Sequence, residues 1–159
     1  MSTREYENRI NSLRFSGKEI QLATKMLDTL QTTIDIVYYL MEHEEEQTFV
    51  LMLISAKELD LGTLLDYEKR DTDILFEIDK EDSLYVMLCQ DTKVDGGYHF
   101  AERIIQNIQS NNGSEIYCTE LEIRSTHYSP KHVILKLLET FIKSKQENQS
   151  NEIVFRSLH

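Results

Sequence analysis

The stretch 70–92 constrains the fold of this chain more than any other. Ile74, Phe76 and Ile78 alternate with more polar neighbours, whereas Ser83–Cys89 is almost wholly apolar. Alternation is typical of a half-buried strand, and a continuous apolar run is typical of a strand covered on both faces. Because four charged residues, 79–82, separate the two runs, the stretch predicts two strands joined by a tight charged turn.

A second apolar run of strand length, Thr48–Ile54, precedes this hairpin. Around these runs the periodicity predicts a helix, then β-α-β-β-α-β, then a final helix and strand. The middle six elements form a ferredoxin-like arrangement. We therefore expect an α+β fold, an α/β sandwich with an antiparallel βαββαβ core, an extra C-terminal αβ unit and an N-terminal helix. The runs 48–54 and 84–89 should lie side by side in the middle of the sheet, with 74–78 nearer an edge.

The N-terminal helix begins with a predicted capping box, in which Ser16 is the N-cap and Glu19 reaches back to its amide. Apolar residues then recur at alternating spacings of three and four, as in the a/d seam of a coiled coil. These are Ile20, Ala23, Leu27, Leu30, Ile34, Val37 and Met41. Such a seam packs either on a second copy of the chain or on its own domain, and both alternatives stay open. We divide the chain into an N-terminal helix, 1–45, and a globular domain, 46–159.

Composition excludes several classes of function. The net charge is −11 over 159 residues, which argues against a nucleic-acid binder or a protein held on anionic membranes, because both need a basic face. No apolar run approaches a transmembrane helix, and the first residues lack the apolar core of a signal peptide. We therefore expect a cytoplasmic protein without membrane insertion. Cys89 and Cys118 each lie in a predicted strand, which favours buried free thiols.

Four segments occur in the order and spacing found in one known family. Asp28-Thr29-Leu30 stands in the first helix, and 70–73 is an RxxD that ends five residues before the turn. The segment 88–97 reads LCQDTKVDGG, and 141–155 reads FIKSKQENQSNEIVF. Together they resemble the GGDEF (diguanylate cyclase) domain, whose inhibitory cyclic di-GMP site uses RxxD at this spacing. The resemblance implies a bacterial signalling module.

The chain departs from this family at the signature turn, which we define as residues 79–83. Where the family has G-G-D/E-E-F, this chain has Asp79, Lys80, Glu81, Asp82 and Ser83. Glycines there let the backbone approach a nucleotide closely, and the side chains at the first two positions would obstruct that approach.

The family's magnesium site is also incomplete. Glu81 could supply the acidic third position of the turn, but the family's second carboxylate, at the end of the first strand, falls at Ser55 or Lys57. The 56–69 connection is also too short for the two helices that the family usually has there. We therefore expect no catalytic residue, no metal site, no cofactor and no cyclase activity.

Three functions remain. The first is a non-catalytic module that dimerises through its N-terminal helix and contacts a protein partner that the sequence does not identify. The second is a cyclic di-GMP receptor, in which Arg70 pairs with guanine or phosphate and Asp73 accepts from the guanine edge. The third is a nucleotide cyclase with an altered metal site at Asp79, Glu81 and Asp82.

Overall fold

The computed structural model describes residues 14–43, 48–57, 59–110 and 115–158. Within these ranges the chain forms four helices and five strands. In chain order they are α1 (Gly17–His43), β1 (Phe49–Ala56), α2 (Leu61–Glu68), β2 (Asp73–Asp79), β3 (Leu84–Gln90), α3 (Val94–Ser110), β4 (Ile116–Ile123), α4 (Pro130–Gln146) and β5 (Ile153–Leu158). None of the helices in the described ranges is long and apolar enough to cross a membrane.

The five strands form one sheet in the order β2-β3-β1-β4-β5. The β2–β3, β3–β1 and β1–β4 pairs are antiparallel, and β5 adds parallel to β4. This confirms the predicted ferredoxin-like βαββαβ core with a C-terminal αβ unit. The two most apolar strands are neighbours, with Met52 opposite Met87, and β2 is an edge strand as predicted.

Helices cover both faces of the sheet, and every residue of β1 is buried for that reason. Phe49, Leu51 and Leu53 face one core, which α1 and α4 cover. Val50 and Met52 face the other core, which α2 and α3 cover. The continuous apolar run of β1 is the sequence signature of this double coverage.

The start of α1 follows the predicted capping box. The Glu19 amide donates to Ser16 Oγ at 3.2 Å, and the Ser16 amide donates to Glu19 Oε1 at 2.8 Å. These two bonds satisfy amide groups that have no partner inside the helix. The helix then runs without interruption to His43.

The predicted seam of α1 packs mainly against the domain itself. Ala23, Leu30, Ile34 and Val37 are buried in the core that includes the sheet and α4, and Leu27 and Met41 pack against its border. Ile20 alone among the seven is exposed, at 55%. The four buried side chains would have to leave this core to contact a second copy, so a homodimer through α1 stays a prediction.

The proposed division into 1–45 and 46–159 crosses this shared core. Side chains of α1 and of the sheet belong to one apolar cluster, so α1 is packed as part of the globular unit. Residues 1–13 and 44–45 of the proposed N-terminal segment lie outside the described residues.

Candidate functional site

The signature turn closes without glycine. The Glu81 amide donates to Asp79 Oδ1 at 3.0 Å, and the Ser83 amide donates to the Lys80 carbonyl at 3.2 Å. Ser83 takes a left-handed conformation with φ 49°, which costs a non-glycine residue some backbone strain. The Asp79 carboxylate is therefore engaged in holding the turn together.

Asp82 is the electrostatic centre of the turn. Lys18 Nζ at the start of α1 lies 3.1 Å from Asp82 Oδ2, and Ser55 Oγ donates to the Asp82 carbonyl at 2.9 Å. The hydrogen bond from Lys18 lowers the pKa of the Asp82 carboxyl, and the charges of Lys57 and Lys145 lower it further. One ammonium group thus pairs with this carboxylate, and the charges of two others act on it.

Lys145, on α4, lies beside two aromatic rings. Its Nζ lies 5.3 Å from the ring centre of Phe141 and 5.5 Å from that of Tyr117, as in a cation–π contact. Burial lowers the pKa of Lys145; the charge of Asp82 raises it, and the nearby Lys57 and Lys18 lower it again.

The residues here do not fit the Mg²⁺ that the resemblance implies. Ser55 stands near the end of β1 with its hydroxyl donated to the Asp82 carbonyl, and Lys57 follows two positions later. Mg²⁺ prefers carboxylate oxygens, and nearby ammonium groups repel it. Within the described ranges no group of three or more His, Cys, Asp or Glu side chains could hold a metal ion.

The RxxD segment forms a second, separate site at the other end of β2. Arg70 Nη2 donates to Asp73 Oδ1 at 2.8 Å, and the Arg70 amide donates to Asp73 Oδ2, also at 2.8 Å. The same Nη2 reaches the Gln90 carbonyl at 3.0 Å and Thr92 Oγ1 at 2.7 Å. The Asp73 side chain is 1% exposed and that of Arg70 is 52% exposed. This pair therefore ties the start of β2 to the end of β3.

Arg70 and Asp73 line a cavity of about 190 Å³ between the sheet and the first turns of α3, which we call the Arg70 cavity. His99, Phe100 and Arg103 of α3 form its opposite wall. Arg103 lies with its guanidinium carbon 5.3 Å from the Phe100 ring centre, and its Nε is 3.4 Å from Glu68 Oε2. The cavity thus combines two arginines, a histidine and an aromatic ring.

Sequence reasoning found Arg70 and Asp73 and missed Arg103 and His99. The available signal was helical spacing, since residues 96, 99, 100 and 103 share one face of a helix that starts near 94. The structure brings together Arg70 and Asp73 but holds them apart from the signature turn, because the length of β2 separates them.

The two cysteines are buried free thiols, as predicted. Cys89 lines the Arg70 cavity, and Cys118 lies deeper on the same face of the sheet. Burial raises the pKa of both thiols.

Comparison with known proteins gives a likeness in structure alone. No family model matches the chain, and no curated protein matches its sequence. The GGDEF domain of DgcB from Caulobacter crescentus, solved with c-di-GMP, superposes with a TM-score of 0.65 at 10% identity, covering 79% of this chain and 85% of that one. The active GGEEF domain of a Vibrio cholerae diguanylate cyclase gives a TM-score of 0.63 at 12% identity, covering 82% and 96%.

A third structure, the diguanylate cyclase SiaD from Pseudomonas aeruginosa in complex with its activator SiaC, gives a TM-score of 0.60 at 10% identity. It covers 97% of this chain and 69% of that one. At such low identity the likeness concerns the fold. With its sheet order and its βαββαβ core, the chain therefore has a GGDEF-like fold.

Proposed function

We propose that this chain is a non-catalytic GGDEF-like signalling module that acts through protein contacts. The observation that carries the proposal is that neither Ser55 nor Lys57, the two positions near the end of β1 where the family's second carboxylate would fall, is an acid. Phosphoryl transfer relies on cations that clamp the phosphate groups and on exact positioning of the nucleophile. Neither a serine nor a lysine at this place supplies the missing carboxylate, and the Lys57 ammonium group would repel a divalent cation.

The engaged state of the signature turn supports the same proposal. Asp79 accepts from the turn's own backbone, and Asp82 is held by Lys18. Each of these carboxylates is thus already engaged through one oxygen in a contact of the turn. The Lys18–Asp82 ion pair also joins the start of α1 to the turn, so a displacement of α1 would break this pair or move the turn.

The test is incubation of the purified protein with GTP and either Mg²⁺ or Mn²⁺, followed by chromatography of the nucleotides. We expect no cyclic dinucleotide and no loss of GTP. Glu81→Gln is the informative variant, and Glu77→Gln on the same hairpin is its control. Product that disappears in Glu81→Gln but persists in Glu77→Gln would overturn the proposal and favour the altered metal site.

Protein contacts have a candidate surface on the outward side of α1. Ile36, Tyr39 and Leu40 are 56%, 59% and 38% exposed and lie one helical turn apart. We propose that a homodimer through α1 uses this outward face, because most side chains of the seam are buried in the core of the same chain. The structurally similar diguanylate cyclase SiaD was likewise solved in complex with a protein, its activator SiaC.

Sedimentation of the purified chain tests this contact. We expect a dimer that Tyr39→Ser weakens about tenfold or more, as the loss of a central aromatic anchor does in other interfaces. Ile20→Ser is the control, because Ile20 is similarly exposed but lies about five turns before Tyr39 on the same helix. A monomeric parent protein, or equal effects of both variants, would exclude this dimer.

A second candidate function is cyclic di-GMP binding in the Arg70 cavity. The observation that favours it is the convergence of Arg70 and Arg103 with the Phe100 ring, since guanidinium groups bind phosphates and guanine edges and a ring can stack on a base. The cavity is smaller than the roughly 300–1,000 Å³ of typical ligand sites, so only part of such a ligand would enter it.

Calorimetry with cyclic di-GMP tests this candidate. Arg103→Ala is a sharper variant than Arg70→Ala, because Arg70 also holds β2 and β3 together and its loss would disturb the fold. Arg156→Ala, on β5, is the control. Heat that Arg103→Ala abolishes and Arg156→Ala preserves would support the site, and no heat with the parent protein would exclude it.

A further inference from the structure

A carboxylic acid that neither candidate site uses lies directly beneath α3. Glu120 of β4 is 1% exposed, and neither of its carboxyl oxygens has a hydrogen-bond partner among the described residues. A Cβ atom at Gly97 would lie 2.7 Å from Glu120 Oε2, so the first turns of α3 close tightly over the carboxyl group. Gly97 also lines the Arg70 cavity.

No cation among the residues that the structure describes pairs with Glu120. Facing it from β1 are Val50 and Met52, and its partner on β5 is Phe155. The nearby ionisable groups are Cys89 on β3, which is close to Arg70 and Asp73, and Cys118 and Glu122 on its own strand. His99 and Arg103 line the cavity from α3.

The nearest of these groups are already engaged. Glu122 accepts from Arg124 at 2.9 Å and from Ser157 at 2.7 Å, and Arg70 is bonded to Asp73. An ionised carboxylate without partners in such a place is strongly disfavoured. Burial raises the pKa of Glu120 to about 8, so the neutral acid predominates at pH 7.

The start of α3 is the segment beside Glu120 that can move away most easily. Gly96 and Gly97 carry no side chains that anchor it, and residues 95, 96, 98 and 99 are exposed. The Arg70 cavity lies beside this turn, since Gly96 and Gly97 both line it. Lifting one helical turn would hydrate an ionised Glu120 at a lower cost than opening the sheet, because the sheet's strands are paired along their whole length.

We propose that Glu120 is a proton-sensitive contact that keeps the first turns of α3 closed over the sheet while neutral and opens them when it ionises. The opening would expose Cys89, which lines the cavity, before Cys118, which lies deeper. The inference does not depend on the proposed function, because it concerns α3 and β4 whether or not a nucleotide or a partner protein binds.

The experiment measures labelling of the two native cysteines by a thiol reagent, with each site quantified by mass spectrometry of its peptide. The rate for the parent protein is divided by the rate for Glu120→Gln at the same pH, which cancels the pH dependence of the thiol itself. For Cys89 we expect this ratio to rise about tenfold between about pH 6.5 and about pH 8.5. Glu102→Gln, an exposed acid on α3, should show the parent's behaviour.

Hydrogen exchange in the parent protein supplies a second measurement that does not need the variant to fold. Amides 95–100 should lose protection as the pH rises, after correction for intrinsic exchange, while β1 amides keep theirs. A Cys89 labelling ratio, parent over Glu120→Gln, that does not change with pH would overturn the proposal. So would parallel exposure of Cys118 and of β1, because that pattern indicates global unfolding rather than local opening.

Discussion

The two ends of β2 differ in whether their charged side chains are buried or exposed. At its start, Asp73 is almost fully buried and accepts from the Arg70 side chain and amide, and neutral Glu120 lies on the same face of the sheet nearby. At its end, the signature turn carries four charged side chains at or near the surface, and three lysines approach Asp82 from α1, from the residue after β1 and from α4.

The difference separates the charges that stabilise the fold from those that contribute little to its stability. Exposed ion pairs contribute little because water and salt screen them, whereas a buried carboxylate depends fully on its partners. The cavity end should therefore be sensitive to single substitutions and to pH, and the turn end should tolerate them. The following four predictions test that contrast, from the largest effect to the smallest.

Glu120→Gln should raise the free energy of unfolding at pH 7 by up to about 3 kcal/mol. The folded pKa of Glu120, about 8, is above its ordinary value of 4.5. The folded state therefore holds a proton that the unfolded state releases, and the parent protein loses stability as the pH rises from about 4.5 to about 8. Urea titrations of the parent and the variant across this pH range measure the loss of stability. A gap between parent and variant that does not widen with pH would contradict the assignment.

Asp73→Ala should lower the free energy of unfolding by about 2 kcal/mol. It removes the acceptor of both the Arg70 guanidinium and the Arg70 amide, and the amide is left without that partner. Asp71→Ala is the control, because Asp71 is exposed on the same loop. Denaturant midpoints for the two variants give the comparison, and similar losses in both would show that burial at Asp73 is unimportant.

Gly97→Ala should lower the free energy of unfolding by about 1 kcal/mol despite alanine's higher helix propensity. Its Cβ would meet Glu120 Oε2 at 2.7 Å and Val50 Cγ1 at 3.1 Å. Gly96→Ala in the same helix meets only the Thr92 methyl group, at 3.3 Å, and should be close to neutral. Thermal unfolding of the pair measures the difference. Equal melting temperatures would mean that α3 is not held against β4 at Gly97.

Asp82→Asn should leave the unfolding midpoint unchanged but lower the pKa of Lys145. Asp82 is the group that raises the pKa of Lys145 against burial and the two neighbouring lysines. An NMR titration of the lysine Cε resonances would show the shift. Asp79→Asn is the control, because Asp79 is not among the groups that act on Lys145. An unmoved Lys145 would mean that the three lysines do not share Asp82.

Local patterns were sufficient for most of the fold. The capping box at Ser16 and the charged turn between β2 and β3 were both predicted from neighbouring residues and are present. The apolar runs of β1 and β3 predicted the central strand pair, because residues covered on both faces leave a continuous apolar signature. The RxxD segment was also found, since its two members lie three positions apart.

Other features depend on residues far apart in the sequence, and no local pattern reports them. A three-four spacing is the same for a helix that packs on its own domain and for one that packs on a second copy, so only the tertiary structure placed Ala23 and Ile34 in the core. The alternation of β4 likewise gives no sign that Glu120 lies under Gly97.

The sequence by itself determined the order of the elements, the two central strands and the absence of a GGDEF signature in the turn, because each follows from spacing or identity within a few residues. The tertiary structure alone decided that Arg103 joins Arg70 at one cavity, that Lys18 pairs with Asp82 near the charge of Lys145, and that the Glu120 carboxyl group has no hydrogen-bond partner among the described residues. Those facts depend on how helices dock on the sheet, and docking is set by the summed packing of the whole core.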